Sequence, residues 1–235
     1  MNLLLFEAGA RDAQGRVRVS GGQLAHLKAV HGKREGDSLR VGEIGGNTGT
    51  ASILAMDDSE AVLDVTLDAP PPEKLALVLV LALPRPKMLR RTLRCVAEMG
   101  VPELHLVNTW RVEKSYWQTP VLAPATLRDY CLQGLEQSRD TVLPNIHLQR
   151  RFKPFVEDTL PGLLAGRRGL LAHPGDYPEC PRAVSGATLL AIGPEGGFIP
   201  YEVDKLRQAG CEPVTLGPRI LRVENAVTAL LARLF

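Results

Sequence analysis

The run Leu75–Leu83, LALVLVLAL, constrains the fold most, because it is apolar at every position. A strand that is apolar at both odd and even positions must be covered on both faces, as strands in a parallel sheet are. Beyond this run, short apolar segments alternate with helical patterns to the end of the chain. The alternation predicts an α/β domain whose parallel sheet carries helices on both faces.

The predicted strands after LALVLVLAL are ELHLVN, NIHLQR, GLLAHP, TLLAIGP and EPVTLG, and the predicted helices span 86–99, 122–138 and 200–209, with one from Phe152 and one at the end of the chain. Ligands of such sheets bind beyond the carboxyl ends of the strands. Three loops are expected at that edge: LPRPK, IGPEGGF and LGPRILRVENA.

A proline-rich break, APPPEK (Ala69–Lys74), separates this region from the preceding residues. Consecutive prolines continue neither helix nor strand and form a stiff spacer. Before the break, RVRVSG alternates with period two, EIGGNTGTASIL predicts a hairpin, and QLAHLKAVHG predicts a short helix. We therefore expect a small, mostly β domain over residues 1–69 and an α/β domain over residues 74–235.

Composition and missing motifs exclude several classes of protein. The net charge is +2 and the four cysteines form no CxxC pair, which favours a cytoplasmic protein without a zinc ribbon. MNLLLF is too short for a signal peptide, and no run is long enough to span a membrane. There is no P-loop, no GxGxxG after a strand and no GxSxG elbow. The histidines lack HxxxH or HxH spacing, so no metal is expected.

Positive charge is concentrated on one predicted helix. Lys87, Arg90, Arg91 and Arg94 are spaced i, i+3, i+4 and i+7, which places them on one face, and Arg85 lies just before them. A solvated surface would explain this stripe. Its position at the ligand edge of the sheet favours instead a surface that binds phosphates, and Arg139 could extend such a surface.

Two glycine-rich loops follow predicted strands. GPEGGF lacks the lysine of a triphosphate site, but its glycines let the backbone approach a ligand closely. It could be only a turn, and Glu195 could contact a ligand or brace the loop. LGPRILRVENA repeats the pattern, with backbone groups and the apolar Ile220 and Leu221 suited to an adenine ring. The apolar final helix packs either in its own core or in a dimer interface.

Four strings together resemble one family: LPRPKMLRRTLRCVAEMGV, LEQSR, IGPEGGFIPYE and LGPRILRVENA. They are similar to motifs of the ribosomal small-subunit (16S) RNA uridine-N3 methyltransferases of the SPOUT superfamily. The resemblance covers nearly the whole chain. It implies a catalytic domain with a C-terminal trefoil knot behind a small PUA-like RNA-binding β-barrel, S-adenosyl-L-methionine as cofactor, a homodimer, and a ribosomal RNA uridine as substrate.

The resemblance also implies roles for residues of this chain. The implied cofactor contacts are His173, Ile192, Gly193, Glu195, Gly196, Gly197, Leu216, Gly217, Ile220, Leu221 and Asn225. The implied RNA contacts are Arg85, Lys87, Arg90, Arg91, Arg94 and Arg139. For catalysis we expect Arg222 as the electrostatic partner of the reacting base and Glu224 as an orienting or proton-accepting group. Charge compensation at the start of the final helix is the other explanation for Glu224.

The chain departs from the family pattern at a few positions. ILRVENA stands where ILRTETA is usual, so that Val223 and Asn225 replace threonines, Ile199 replaces a capping Ser or Thr, and VHG at 30–32 replaces VLR. These departures leave two alternatives open. One is a methyltransferase acting on another ribosomal or transfer RNA site, and the other is a non-catalytic RNA-binding assembly protein that retains the fold.

Overall fold

The computed structural model describes residues 2–29 and 32–235 of the chain. These residues form two units: Met1–Glu73 with Leu132–Leu143, and Lys74–Cys131 with Pro144–Phe235. Residues 132–138 of the second segment lie in the longest predicted helix, and nothing in the composition of 132–143 assigns it to the N-terminal unit. Val30 and His31, part of the predicted short helix and of the VHG departure, lie outside the described residues.

The N-terminal unit contains a five-stranded sheet in the order β1-β3-β4-β5-β2. Its elements are β1 (Leu4–Phe6), β2 (Arg16–Ser20), α1 (Gly21–Ala29), β3 (Ser38–Glu43), β4 (Thr48–Met56) and β5 (Glu60–Ala69). RVRVS is a strand whose two valines are buried, and β3 and β4 form the expected antiparallel hairpin. β1, which the sequence analysis missed, pairs parallel with β3.

The C-terminal unit is built on a six-stranded sheet in the order β11-β9-β10-β6-β7-β8, and every neighbouring pair is parallel. The strands are β6 (Leu77–Ala82), β7 (Glu103–Val107), β8 (Asn145–Gln149), β9 (Arg168–Ala172), β10 (Thr188–Ile192) and β11 (Cys211–Val214). Every residue of β6 is buried, as its unbroken apolar run predicts. The expected α/β fold with a parallel sheet is therefore confirmed.

Helices connect these strands close to the predicted positions. They are α2 (Pro86–Glu98), α3 (Pro124–Ser138), α4 (Phe152–Pro154), α5 (Leu160–Leu164), α6 (Pro200–Gln208) and α7 (Val223–Leu234). The single helix expected from Phe152 is irregular, because a π-helical turn, Phe155–Thr159, separates α4 from α5. Two short 3₁₀ segments, Lys114–Gln118 and Pro120–Leu122, lie between β7 and α3. No helix among the described residues is long and apolar enough to cross a membrane.

All four cysteines are free thiols. Burial raises the pKa of the Cys131 and Cys211 thiols to about 12, so neither forms a thiolate near neutral pH. Only the thiolate is an effective nucleophile or metal ligand. These two side chains therefore act as small apolar packing groups.

Gly49 lies at a register shift in the β4–β5 pairing, where its backbone packs closely against the neighbouring strand. A Cβ at this position would lie 1.9 Å from the Thr66 carbonyl oxygen. We predict that Gly49→Ala lowers the free energy of unfolding by about 3 kcal/mol, measured by urea denaturation. Gly22→Ala is the control, since nothing lies within 4 Å of a Cβ there. Equal effects of the two changes would contradict this packing.

Candidate functional site

A cavity lies beyond the carboxyl ends of β9, β10 and β11, within the C-terminal unit. Its volume is about 690 Å³, open solvent at the mouth included. The lining comes from the segments after these strands and from α7: Ala172, His173, Pro174, Ile192, Gly193, Pro194, Glu195, Gly197, Phe198, Val214, Thr215, Leu216, Gly217, Arg219, Ile220, Leu221, Val223, Ala226 and Leu230. The IGPEGGF and LGPRILRVENA loops thus meet at one place.

Most of the predicted cofactor residues line this cavity. They are His173, Ile192, Gly193, Glu195, Gly197, Leu216, Gly217, Ile220 and Leu221. Gly196 and Asn225 do not line it. Asn225 is exposed, and the carbonyl oxygen of Gly196 accepts a hydrogen bond from the guanidinium of Arg111.

The glycines of the first loop are required by its backbone. Gly197 has a φ of 73°, which side chains of L-residues rarely allow, and its N–H donates to the Pro194 carbonyl at 2.8 Å. At Gly193 a Cβ would lie 3.1 Å from the backbone nitrogen of Phe198. The loop therefore folds back tightly on itself and presents main-chain groups to the cavity.

Glu195 braces this loop against another. Its carboxylate accepts a hydrogen bond from the backbone N–H of Arg85, 3.2 Å away, at the start of α2. A negative charge is favourable at a helix N-terminus. Of the two roles left open by the sequence, the structure shows the brace, and the side chain also borders the cavity.

A buried carboxylate anchors the other side of the loop. Glu202, which is 2% exposed, accepts hydrogen bonds from the backbone N–H groups of Trp110 at 2.7 Å and Ile199 at 3.0 Å. Ile199 is the N-cap residue of α6, so Glu202 in the first turn bonds back to the N-cap N–H, which is the half of a capping box that needs no Ser or Thr. The place of Glu202 in the first turn of a predicted helix, where a negative charge is favourable, is visible in the sequence, whereas its bond to Trp110 depends on the tertiary structure.

The predicted catalytic residues lie beside the cavity and do not line it. Arg222 is the N-cap residue of α7 and is exposed; its guanidinium makes no hydrogen bond or ion pair with the residues that the structure describes. Glu224 lies in the first turn of α7. This position suits both a reacting carboxylate and the alternative of helix charge compensation.

Helix α7 contributes residues that the sequence analysis did not select. Val223, Ala226 and Leu230 line the cavity and are spaced i, i+3 and i+7, so they share one helical face. That spacing was visible in the sequence. Of the two departures from the family motif, Val223 therefore faces the cavity, and Asn225 does not.

The predicted RNA residues fall on two units. On α2, Lys87, Arg90 and Arg91 are exposed, as is Arg85, while Leu89, Leu93 and Val96 are buried. Arg94 is half-buried, and its guanidinium lies 4.7 Å from the ring centre of Tyr130. Arg139 belongs to the N-terminal unit, where it is exposed with a φ of 61°.

Aromatic residues after β7 differ in their exposure. The Trp117 indole N–H donates to Asn108 Oδ1 at 2.8 Å, and the Arg150 guanidinium lies over its ring at 5.1 Å, so Trp117 is a packing residue. Trp110 is 80% exposed although Glu202 fixes its backbone. No pattern in the sequence points to the exposure of Trp110.

Comparison with known proteins identifies the family. The family described as "RNA methyltransferase domain" matches residues 71–235. Ribosomal RNA small subunit methyltransferase E of Treponema pallidum (strain Nichols) is 30% identical, over 99% of this chain and 90% of that protein. The chain belongs to the ribosomal RNA small subunit methyltransferase E family. The Synechocystis member of this family is 28% identical, over 98% of this chain and 76% of its own length.

Solved structures share the fold of this methyltransferase E family member. The crystal structure of the Neisseria gonorrhoeae ribosomal RNA small subunit methyltransferase E, bound to S-adenosyl methionine, matches with a TM-score of 0.78 at 21% identity. The match covers 98% of this chain and 95% of the Neisseria gonorrhoeae chain. A Legionella pneumophila protein described as a methyltransferase with bound SAM also gives 0.78, at 20% identity over 98% and 95%.

We predict that Glu202→Gln lowers the free energy of unfolding by about 2 kcal/mol. The two N–H groups bond to different oxygens of the carboxylate, and an amide would place its own NH₂ group against one of these donors, which loses that hydrogen bond. Asp204→Asn on the exposed side of α6 is the matched control and should change stability by less than about 0.5 kcal/mol. Urea denaturation measures both, and a neutral Glu202→Gln would contradict the anchoring role.

Proposed function

We propose that this chain transfers the methyl group of S-adenosyl-L-methionine to N3 of a uridine in small-subunit (16S) ribosomal RNA. The observation that carries the proposal is the meeting of the IGPEGGF and LGPRILRVENA loops around one cavity in a member of this family. Relatives named as small-subunit ribosomal RNA methyltransferases, and a relative crystallised with S-adenosyl methionine, support the substrate and the cofactor.

The cavity fits an adenosyl cofactor by the chemistry of its lining. Ile220 and Leu221 offer apolar surface for a planar base, and Gly193, which has no side chain, lets the polar edge of a ligand approach the main chain. Gly217 has a φ of 102°, and its N–H is bonded to the Thr215 hydroxyl at 3.2 Å, so the second loop is held in a set shape. When bound, the cofactor supplies a sulfonium-activated methyl group, and its transfer requires no metal.

The acceptor nitrogen sets the task of the side chains at the start of α7. N3 of uracil is an imide that becomes nucleophilic as its proton is removed, and negative charge develops on the ring. The exposed guanidinium of Arg222 is suited to stabilise that charge. Glu224, in the first turn of the helix, is suited to orient the base or to take the proton. Holding donor and acceptor in line supplies the remaining advantage.

The RNA surface of the C-terminal unit combines charge with an exposed ring. Arg85, Lys87, Arg90 and Arg91 present positive charge to solvent along α2, which suits a phosphate backbone. Trp110 presents an exposed indole from a loop fixed by Glu202, which suits stacking on an unpaired base. Charge and stacking together are typical of proteins that bind single-stranded RNA.

Three further features belong to the proposal. Residues 1–69 form a PUA-like RNA-binding β-barrel, residues 74–235 form the SPOUT domain with its trefoil knot, and two copies of the chain form the active homodimer. The exposed apolar residues Ile220, Leu221 and Phe235 support the homodimer. A protein that modifies ribosomal RNA during subunit assembly works in the cytoplasm.

Calorimetry with S-adenosyl-L-methionine separates a methyltransferase from an RNA-binding protein that has lost the cofactor. We predict binding by the wild-type chain and about tenfold weaker binding by Leu221→Ala, because a cavity-lining apolar side chain is removed. Leu54→Ala in the N-terminal unit is the control, since Leu54 and Leu221 are similarly exposed. The absence of binding heat from the wild type across titration temperatures would contradict the proposed function.

Arg222→Ala is expected to lower the methylation rate by about 100-fold or more while leaving the cofactor Kd unchanged, because the arginine acts on the charged base. Arg207→Ala, an exposed position on α6, should leave the rate unchanged. Single-turnover methylation and calorimetry measure the two quantities. A near-normal rate in Arg222→Ala would contradict the electrostatic role of Arg222. An unchanged rate and pH–rate profile in Glu224→Gln would show that Glu224 is not the base.

RNA binding should respond differently to the two parts of the surface. The salt dependence is the slope of the logarithm of the RNA association constant against the logarithm of salt concentration. We predict that Arg90→Ala with Arg91→Ala makes this slope shallower by about 0.7 for each phosphate that the variant no longer neutralises. Trp110→Ala should weaken binding about tenfold with the slope unchanged, because stacking releases no counterions. Lys205→Ala with Arg207→Ala on α6 is the control. Equal salt slopes in all variants would contradict the assignment of α2 to the phosphates.

A further inference from the structure

Two histidines and a glutamate meet on β7 and β8, where no predicted function uses them. Glu103 and His105 lie on β7, two residues apart and so on the same face, and His147 on β8 is directly opposite His105 in the parallel register. None of the three lines the cavity beyond β9, β10 and β11. Within residues 2–29 and 32–235, they are the one group of three whose ligand atoms all lie within 4.8 Å of one another.

The distances within this trio are close to those of a metal centre. Glu103 Oε1 lies 2.8 Å from His105 Nε2 and 3.7 Å from His147 Nε2. A tetrahedral zinc ion with bonds of about 2.0–2.2 Å places its ligand atoms about 3.3–3.5 Å apart. On zinc binding, the distance between Glu103 Oε1 and His105 Nε2 would increase by about half an ångström, and the His147 ring would turn toward these two atoms.

The trio combines one fixed ligand with two that can adjust. The His105 side chain is 3% exposed, and its ring packs 5.9 Å from that of Phe155. Glu103 is 28% exposed and His147 46% exposed, so an ion and a water can reach them. The His147 ring now stacks on His105 at 4.5 Å, and rotation of this exposed side chain toward Glu103 Oε1 costs little packing.

A fourth residue is placed to orient the buried ligand. Gln149 Nε2 lies 3.4 Å from Nδ1 of His105. In the metal-free arrangement the Nε2–H of His105 donates to Glu103, and Nδ1 accepts from the Gln149 amide. With an ion on Nε2 the proton moves to Nδ1, and the amide turns so that its oxygen accepts it. Such a partner behind a ligating histidine fixes its tautomer.

We propose that Glu103, His105 and His147 bind one Zn²⁺ ion, with a water as the fourth ligand. Two imidazole nitrogens and one carboxylate suit zinc, whereas Mg²⁺ and Ca²⁺ prefer oxygen ligands. The ion ties β8, which pairs only with β7 in this sheet, to the sheet interior. Its effect is on stability and does not depend on the proposed methyl transfer.

The sequence concealed this site because its histidines lie far apart in the chain and come from different strands. The expectation of no metal rested on the lack of HxxxH or HxH spacing along the chain. Parallel register brings together residues that spacing rules treat as unrelated.

Zinc titration of the untagged full-length chain, stripped with EDTA and dialysed, tests the site. Calorimetry and elemental analysis give affinity and stoichiometry, and thermal unfolding with and without Zn²⁺ gives the change in Tm. Glu103→Gln retains an acceptor for His105 but removes the carboxylate, and His147→Gln changes a half-exposed side chain, so both variants should fold. His26→Gln, on α1, is the matched control.

We expect one zinc per wild-type chain, at least 100-fold weaker binding in Glu103→Gln and His147→Gln, and a Tm raised by zinc only in the wild type and in His26→Gln. Two results would overturn the proposal. One is a wild-type chain that binds zinc no more tightly than both variants of the trio. The other is a zinc-bound wild type whose Tm does not change.

Discussion

All six strands of the C-terminal sheet run in the same direction, and the candidate site depends on this one constraint. Parallel strands end at the same edge, so loops far apart in the chain meet there. Gly193 and Pro194 of one loop and Gly217 of the other line one cavity although a whole helix and strand separate them in the chain. The apolar run of β6 makes this possible, because a fully buried strand holds the centre of the sheet.

Polar contacts then fix the loops in place. Glu195 holds one side of the glycine loop to the start of α2, Arg111 holds the Gly196 carbonyl, and Glu202 ties α6 to the backbone of Trp110. Each contact pairs a charged group with a main-chain donor or acceptor, and such hydrogen bonds are stronger than neutral ones. The result is a loop whose shape exists without a ligand, which reduces the entropy lost on binding.

Local pattern predicted the parallel sheet and its helices, and the strand-end rule placed the two glycine-rich loops at one edge of the sheet. The family resemblance supplied nine of the nineteen residues that line the cavity. Sequence reasoning missed Val223 and Ala226, because their helical spacing is equally typical of a stripe that packs in the core. It did not find the pairing of His105 with His147, because strand register is a tertiary property. The assignment of residues 132–143 to the N-terminal unit was likewise beyond any local signal.

Together these features describe a cavity between two glycine-rich loops, a positively charged helix and an exposed indole, in a member of a family of ribosomal RNA methyltransferases. The most direct test is to incubate the purified chain and S-adenosyl-L-methionine with assembled small ribosomal subunits whose RNA lacks the modification, then digest the RNA and identify its nucleosides by mass spectrometry. The proposed function predicts one new N3-methyluridine per RNA. A methyl group on another nucleoside, or no methylation of RNA presented in assembled small subunits, would contradict it.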